Sequence, residues 1–181
     1  MVENSSAVDL VAGFSIWAVP AQPASNDLED IIETYAERLT TPSFLPHMTV
    51  LSGVKGLDAA EVVAKLSELA DSMRALDVEI ETVTFKELYF QCVFGLLKLT
   101  PELQQAHARS KEIYAVERND AFMPHVSFIY GDLASEARAD LVKELRPQLD
   151  GKHLKMEKLQ LWRTLGQVET WELLAEVKLR E

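Results

Sequence analysis

This chain of 181 residues has little of several things, and each shortage closes off a class of protein. A single cysteine, Cys92, allows no disulfide within the chain and no cysteine-based zinc site. No apolar run approaches the ~20 residues of a membrane-spanning helix. The opening Met1-Val2-Glu3-Asn4 has neither the basic nor the apolar segment of a secretory signal. Glu3 and Asp9 suit an acid-poor transit peptide badly. A cytoplasmic protein is the resulting expectation. Positive charge is also scarce: 18 Lys and Arg stand against 29 Asp and Glu, a net charge of −11. Proteins that track long nucleic acid carry a basic face, and this composition opposes that role. A small phosphorylated ligand is still admitted, because a recessed site sets its own local field.

What is present is ordinary for a globular domain, with 48% hydrophobic and 26% charged residues, enough for one domain over 1–181. Against that background one phrase occurs twice. Residues 44–53 read Phe-Leu-Pro-His-Met-Thr-Val-Leu-Ser-Gly, and residues 122–131 read Phe-Met-Pro-His-Val-Ser-Phe-Ile-Tyr-Gly. Each histidine has a hydroxyl residue two positions on: His47 with Thr49, and His125 with Ser127. A two-residue step on a strand puts both side chains on one face. A lone His-x-Ser/Thr means little; the repetition inside a longer match carries the signal.

The pattern predicts strands over Phe14–Val19, His47–Leu51, Val78–Phe85, Tyr89–Leu99, His125–Tyr130, Lys155–Arg163 and Val168–Leu179. Between them lie helices: one starting in the Ser25-Asn26-Asp27 cluster, one capped reciprocally by Asp58 and Glu61, one opened by Thr100-Pro101 and reaching about Glu117, and one from Ser135 to Leu145 that Pro147 helps to end. Residues 1–12 read as a loose lead-in. The order is β-α-β-α-β stated twice, over about 14–85 and 89–179, with one added strand. The fold class expected is α+β: a bilobal, pseudo-two-fold domain whose two histidines face each other across a central cleft.

Two imidazoles and two hydroxyls suit a cyclic phosphodiester. Opening one needs a base to deprotonate water and an acid to protonate the leaving oxygen, and histidine fits both roles with an unperturbed pKa near 6.5. Thr49 and Ser127 would hold the non-bridging oxygens. The scheme calls for no metal and no cofactor, and predicts a bell-shaped pH profile with limbs near neutrality. His107, in mid-helix, reads as a surface or boundary residue, and His153 as a solvated turn residue. Trp162 and Trp171 read as core, and Gly95 as a bulge or a close approach.

The doubled motif resembles the two-histidine (2H) phosphoesterase superfamily. The segments Phe14-Ser-Ile-Trp-Ala-Val-Pro20, Phe90-Gln-Cys-Val-Phe94, Thr100-Pro-Glu102 and Glu169-Thr-Trp171 look like its plant-type cyclic phosphodiesterases, so that the resemblance spans Phe14 to Leu179. It implies metal-independent hydrolysis of ADP-ribose 1″,2″-cyclic phosphate to ADP-ribose 1″-phosphate, a by-product step of tRNA splicing, and opening of nucleoside 2′,3′-cyclic phosphates to 2′-phosphates. It makes His47, Thr49, His125 and Ser127 the catalytic quartet, puts Tyr130 at the phosphate, and sets Trp17 and Phe90 at the mouth of the cleft. It further implies two antiparallel sheets around that cleft, with helices outside. Plant members carry several cysteines where this chain has only Cys92. Small cyclic phosphate nucleotides are the expected partners, and nothing demands more than a monomer. The rival readings are an enzyme of RNA 2′,3′-cyclic phosphate ends and a nucleotide-binding module without turnover.

Overall fold

The computed structural model describes residues 13–118 and 121–181; the lead-in and the leader expectation fall on residues 1–12, outside these. The elements are β1 (Phe14–Pro20), α1 (Ala24–Leu39), β2 (Met48–Val54), α2 (Ala59–Asp71), β3 (Leu76–Phe85), β4 (Val93–Leu97), α3 (Pro101–Ile113), β5 (His125–Ile129), α4 (Ser135–Leu149), β6 (His153–Arg163) and β7 (Glu172–Lys178). This is the predicted order, in a mixed fold of four helices and an antiparallel sheet. No helix among the described residues is long and apolar enough to cross a membrane.

Two sheets were expected, but the pairings join all seven strands into one, in the order β1-β2-β5-β4-β3-β6-β7. β1 also pairs with β6 along its whole length, which closes the first six strands into a ring. β6 makes this possible by its length: its first residues pair with β3, and its later ones take β7 on that side. The weakest seam is between β2 and β5, which share one pair, Met48 with Val126. That seam lies between the two copies of the repeated phrase.

Local chemistry explains most boundaries. The Asp58 side chain accepts from the Glu61 N–H while Glu61 reaches back to the Asp58 N–H, the predicted reciprocal cap. Thr100 caps α3 through the Leu103 N–H, with Pro101 first in the helix. α1 starts at Ala24, one residue before the predicted cluster, with Pro23 at its cap position. α3 ends at Ile113, short of Glu117, and the predicted strand over 89–99 begins as a 3₁₀ turn at Tyr89–Gln91. A similar turn, Val168–Thr170, precedes β7. α4 runs through Pro147 to Leu149. Pro147 removes one backbone donor near the helix end, where the loss is small beside the full burial of Leu149. Asp150 then fixes the exit by accepting the Val83 N–H at 2.7 Å.

The core includes Ile16, Leu51, Ile80, Phe94 and Phe128, all essentially inaccessible. Each such side chain stabilises the fold by roughly 1.5–3 kcal/mol relative to exposure. Gly95 marks a close approach: a Cβ there would meet Ile80 Cγ2 at 2.9 Å and the Phe128 ring at 3.1 Å. α1 packs on β5, and α3 on β2, so that each strand carrying a repeated motif has a helix behind it.

Candidate active site

The seam between β2 and β5 assembles the predicted quartet. Met48 pairs with Val126, so extending this antiparallel register by one residue each way sets His47 across from Ser127 and Thr49 across from His125. All four alternate with Met48 and Val126 and share the opposite face of the strands. The two histidines are diagonal neighbours, positions about 7–8 Å apart in regular antiparallel geometry. The sequence thus supplies four functional groups from two short strands, and the register brings them together.

Both histidines are anchored alike. His47 Nδ1 lies 2.6 Å from the Leu45 carbonyl, and His125 Nδ1 lies 2.9 Å from the Met123 carbonyl. A carbonyl oxygen only accepts, so Nδ1 holds the hydrogen in each neutral ring, and Nε2 is left with the exchangeable lone pair. Burial pushes the His47 pKa down to about 3, against the partly compensating Leu45 bond and with some help from His125. The His125 pKa is also lowered, by burial first, with the Met123 bond opposing and the Lys86 charge adding to it. His47 is 5% exposed and His125 is half-buried. Both rings are therefore neutral when the cleft is empty, and an anion placed between them favours their protonation.

The hydroxyls differ. Ser127 donates to the Phe90 carbonyl at 3.1 Å, and its presence beside the Tyr130 phenol offsets part of the effect of burial there. Burial raises the Tyr130 pKa, so the phenol stays protonated. Thr49 is half-buried.

The aromatic residues are arranged otherwise than expected. Trp17 stacks on His47 with centroids 3.6 Å apart and an 8° interplanar angle, and stacks on Trp162 at 4.6 Å. It is 2% exposed, so it is a wall behind His47 and not an open platform at the mouth. Trp171, expected in the core, is half-buried and meets both Trp17 (5.7 Å) and Phe90 (5.8 Å). Trp162 is likewise half-buried, its Nε1 donating to Gln160. Phe90 is half-buried against Tyr130, and Tyr130 stacks on Phe44 at 3.7 Å. The His47–Ser127 end of the quartet is thus packed among rings.

Comparison with known proteins fits this geometry. Residues 12–179 match the family model described as cyclic phosphodiesterase-like protein. The chain belongs to that family. As a member of the 2H phosphoesterase superfamily, it is an enzyme of the cyclic phosphodiesterase class. A cyclic phosphodiesterase of Arabidopsis thaliana is 30% identical over 173 residues, covering 92% of this chain and 94% of the relative. Escherichia coli LigT without ligand has the same fold, with a TM-score of 0.63 at 12% identity over 95% of this chain and 99% of LigT. LigT complexed with 3′-AMP gives a TM-score of 0.62 at 13% identity over 94% and 99%.

In this cyclic phosphodiesterase-like chain, the other end of the quartet is open. Thr49 and His125 line a cavity of about 160 Å³, together with Ser52, Gln91, His107 and Arg118 among others. His107 is half-buried, a boundary residue at the edge of this cavity, within the surface-or-boundary reading of the sequence. Its Nδ1 donates to the Val50 carbonyl at 2.8 Å, and its ring lies parallel to Phe122 at 4.2 Å. The sequence held part of the signal: Leu103, Ala106, Ser110 and Ile113 form the buried stripe of α3, and His107 sits beside it. Arg118 and Lys86 come from connecting segments, where no periodicity announces them. His153 is exposed, as read. Cys92 is fully buried with its thiol pKa raised by burial, so it stays a protonated core residue.

Proposed function

We propose that this protein hydrolyses ADP-ribose 1″,2″-cyclic phosphate to ADP-ribose 1″-phosphate and nucleoside 2′,3′-cyclic phosphates to 2′-phosphates, without a metal, using His47 and His125 as the acid–base pair. The observation that carries this reading is the Met48–Val126 pair between β2 and β5, whose register, extended one residue each way, turns two imidazoles and two hydroxyls to one face. The offset of 78 between His47 and His125, with the same element order around each, supports an internal duplication and one bilobal domain.

His47 is the base and His125 the acid in this scheme. The more buried ring, packed against Trp17, is the one held neutral, as a base must be. The ring on the open cavity takes up a proton more easily and returns it. In nucleoside substrates, water attacks phosphorus opposite the 3′ oxygen. Its proton passes to His47 Nε2 as the new P–O bond forms, the P–O3′ bond breaks, and His125 Nε2 gives its proton to O3′. In the ADP-ribose substrate the same step breaks P–O2″. Thr49 donates to one non-bridging oxygen, and Ser127 turns its hydrogen from the Phe90 carbonyl to the other. Tyr130 assists at the phosphate beside Ser127, while Phe90 and Trp171 face the base or sugar. Trp17 orients His47.

Incubation with both substrates in EDTA, followed by phosphorus NMR, tests the reading. The expected products are ADP-ribose 1″-phosphate and a nucleoside 2′-phosphate. Loss of turnover in EDTA that a divalent ion restores, or a 3′-phosphate product, would overturn it. Faster turnover of a cyclic-phosphate oligonucleotide than of a mononucleotide would favour action on RNA ends, which a net charge of −11 opposes.

A further inference from the structure

β2 and β5 are each held along one edge and scarcely to one another. β2 pairs with β1 from Phe14–Val54 to Ala18–Met48, and β5 pairs with β4 from Val93–Ile129 to Leu96–His125. Between β2 and β5 stands the single pair Met48–Val126. Thr49 is thus fixed relative to β1, and His125 and Ser127 relative to β4. How the two sets face each other across a substrate depends on a seam that backbone pairing leaves weak. An in-line displacement is sensitive to that spacing, since a misplacement of about 1 Å can cost about 10²-fold in rate.

One side chain spans the end of the seam. His107 stands on α3, a helix fixed by its Thr100 cap and by the buried Leu103, Ala106, Ser110 and Ile113. Its Nδ1 donates to the Val50 carbonyl at 2.8 Å, just past the last β2–β5 pair and one residue from Thr49. Its ring lies parallel to Phe122, with 3° between the planes and 4.2 Å between centroids. Phe122 directly precedes Met123, whose carbonyl accepts from His125 Nδ1 at 2.9 Å. A single imidazole therefore grips β2 beside Thr49 through its edge, and grips the segment that orients His125 through its face. Its backbone belongs to neither strand, so it can fix one against the other.

We propose that His107 is a positioning residue that clasps the β2–β5 seam and sets the spacing of Thr49 and His125 on the substrate phosphate. This rests on the acid–base pair proposed above, and adds to it a residue that lies outside both copies of the repeated phrase. His107 acts through Val50 and Phe122 and moves no proton of the reaction. A clasp of this kind is needed for the geometry of the transition state more than for substrate binding, so its loss falls on kcat and not on KM. A side chain needed for stability alone would lower Tm and leave the turnover of the folded enzyme unchanged.

The test uses H107A, H107N and H107F. Asn keeps an N–H donor at the same remove from Cβ as Nδ1, for the Val50 carbonyl, and Phe keeps a ring for Phe122. Turnover of adenosine 2′,3′-cyclic phosphate is measured well below the lowest melting temperature of the set. H107A is expected to lose about tenfold to a hundredfold in kcat with KM changed by less than about threefold, and H107N and H107F each to recover part of the loss. An unchanged kcat in H107A, or a loss carried by KM, overturns the clasp. Should H107A fail to fold, wild-type kcat in both H107N and H107F overturns it, and a lowered kcat in both supports it. A second readout needs no substrate: nitrogen NMR of the His125 ring. The wild type is expected to show one tautomer, with the hydrogen on Nδ1, and H107A a mixture of the two, with H107F between them. An unchanged His125 ring in H107A overturns the clasp. Absence of wild-type turnover would refute the acid–base reading instead, and the NMR result would then decide the clasp by itself.

Discussion

The two copies of the repeated phrase have one backbone plan and two environments. In each, the histidine bonds the carbonyl two residues before it, and the strand that follows brings a hydroxyl to the same face. Around the first copy, Trp17 lies on His47, and Phe44 supports Tyr130. Around the second, His125 opens on a polar cavity, and Phe122 supports His107. The phenylalanine that opens the phrase thus carries a phenol in one place and an imidazole in the other. The same histidine motif has become unequal chemistry, because neighbours supplied by other elements decide how far each ring is desolvated.

The strongest way to break this comparison is to remove each histidine in turn. His47→Ala and His125→Ala should each lower kcat by about 10²–10⁴-fold, as measured by steady-state turnover of a 2′,3′-cyclic nucleotide. Near-normal turnover in either variant would end the two-histidine account. The hydroxyls should then separate. Thr49→Ala and Ser127→Ala both cost turnover, by about 10²–10³-fold if each holds a phosphate oxygen as tightly as an oxyanion-hole donor does. Only Ser127→Ala should also lower thermal stability, because it removes the hydroxyl that the Phe90 carbonyl accepts from, a loss of about 1–3 kcal/mol. Equal melting temperatures for the two variants would show that the serine network carries no weight.

A smaller effect concerns pH. The folded pKa of His47 lies below its unfolded value of 6.5, so above that value it has no effect on the balance. As pH falls from 6.5 towards 3, the unfolded state gains a proton that the folded state refuses, and stability is lost. The loss is several kcal/mol at most, and His47→Gln should reduce the steepness of a denaturant midpoint against pH in that window. The rate profile sharpens the same point. Both imidazole pKa values are lowered in the free enzyme, so the kcat/KM bell should sit on the acid side of 6.5 and not about neutrality, as two unperturbed imidazoles suggested. Its alkaline limb belongs to His125.

The phrase itself, the order of elements and the caps at Asp58 and Thr100 were legible because each depends on neighbours within a few residues. The closure of the strands into one ring was not, since it depends on the length of β6 and on which strands its two edges meet. Trp17 was read as a mouth residue, and its burial against His47 and Trp162 depends on a strand from the far end of the chain. His107 was read as a surface or boundary residue, and its half-buried place beside the buried stripe of α3 is a boundary, but its position on the cavity was not legible. Arg118 and Lys86 had no local pattern to reveal them.

The most direct test is an NMR titration of the four histidine side chains in the unliganded protein. The account predicts that His47 remains neutral down to about pH 3, and that His125, the more exposed ring, has a lowered pKa and is protonated first. Titration of His47 at or above 6.5, or its protonation ahead of His125, would contradict the claim that two matched motifs have been made into a base and an acid by what surrounds them.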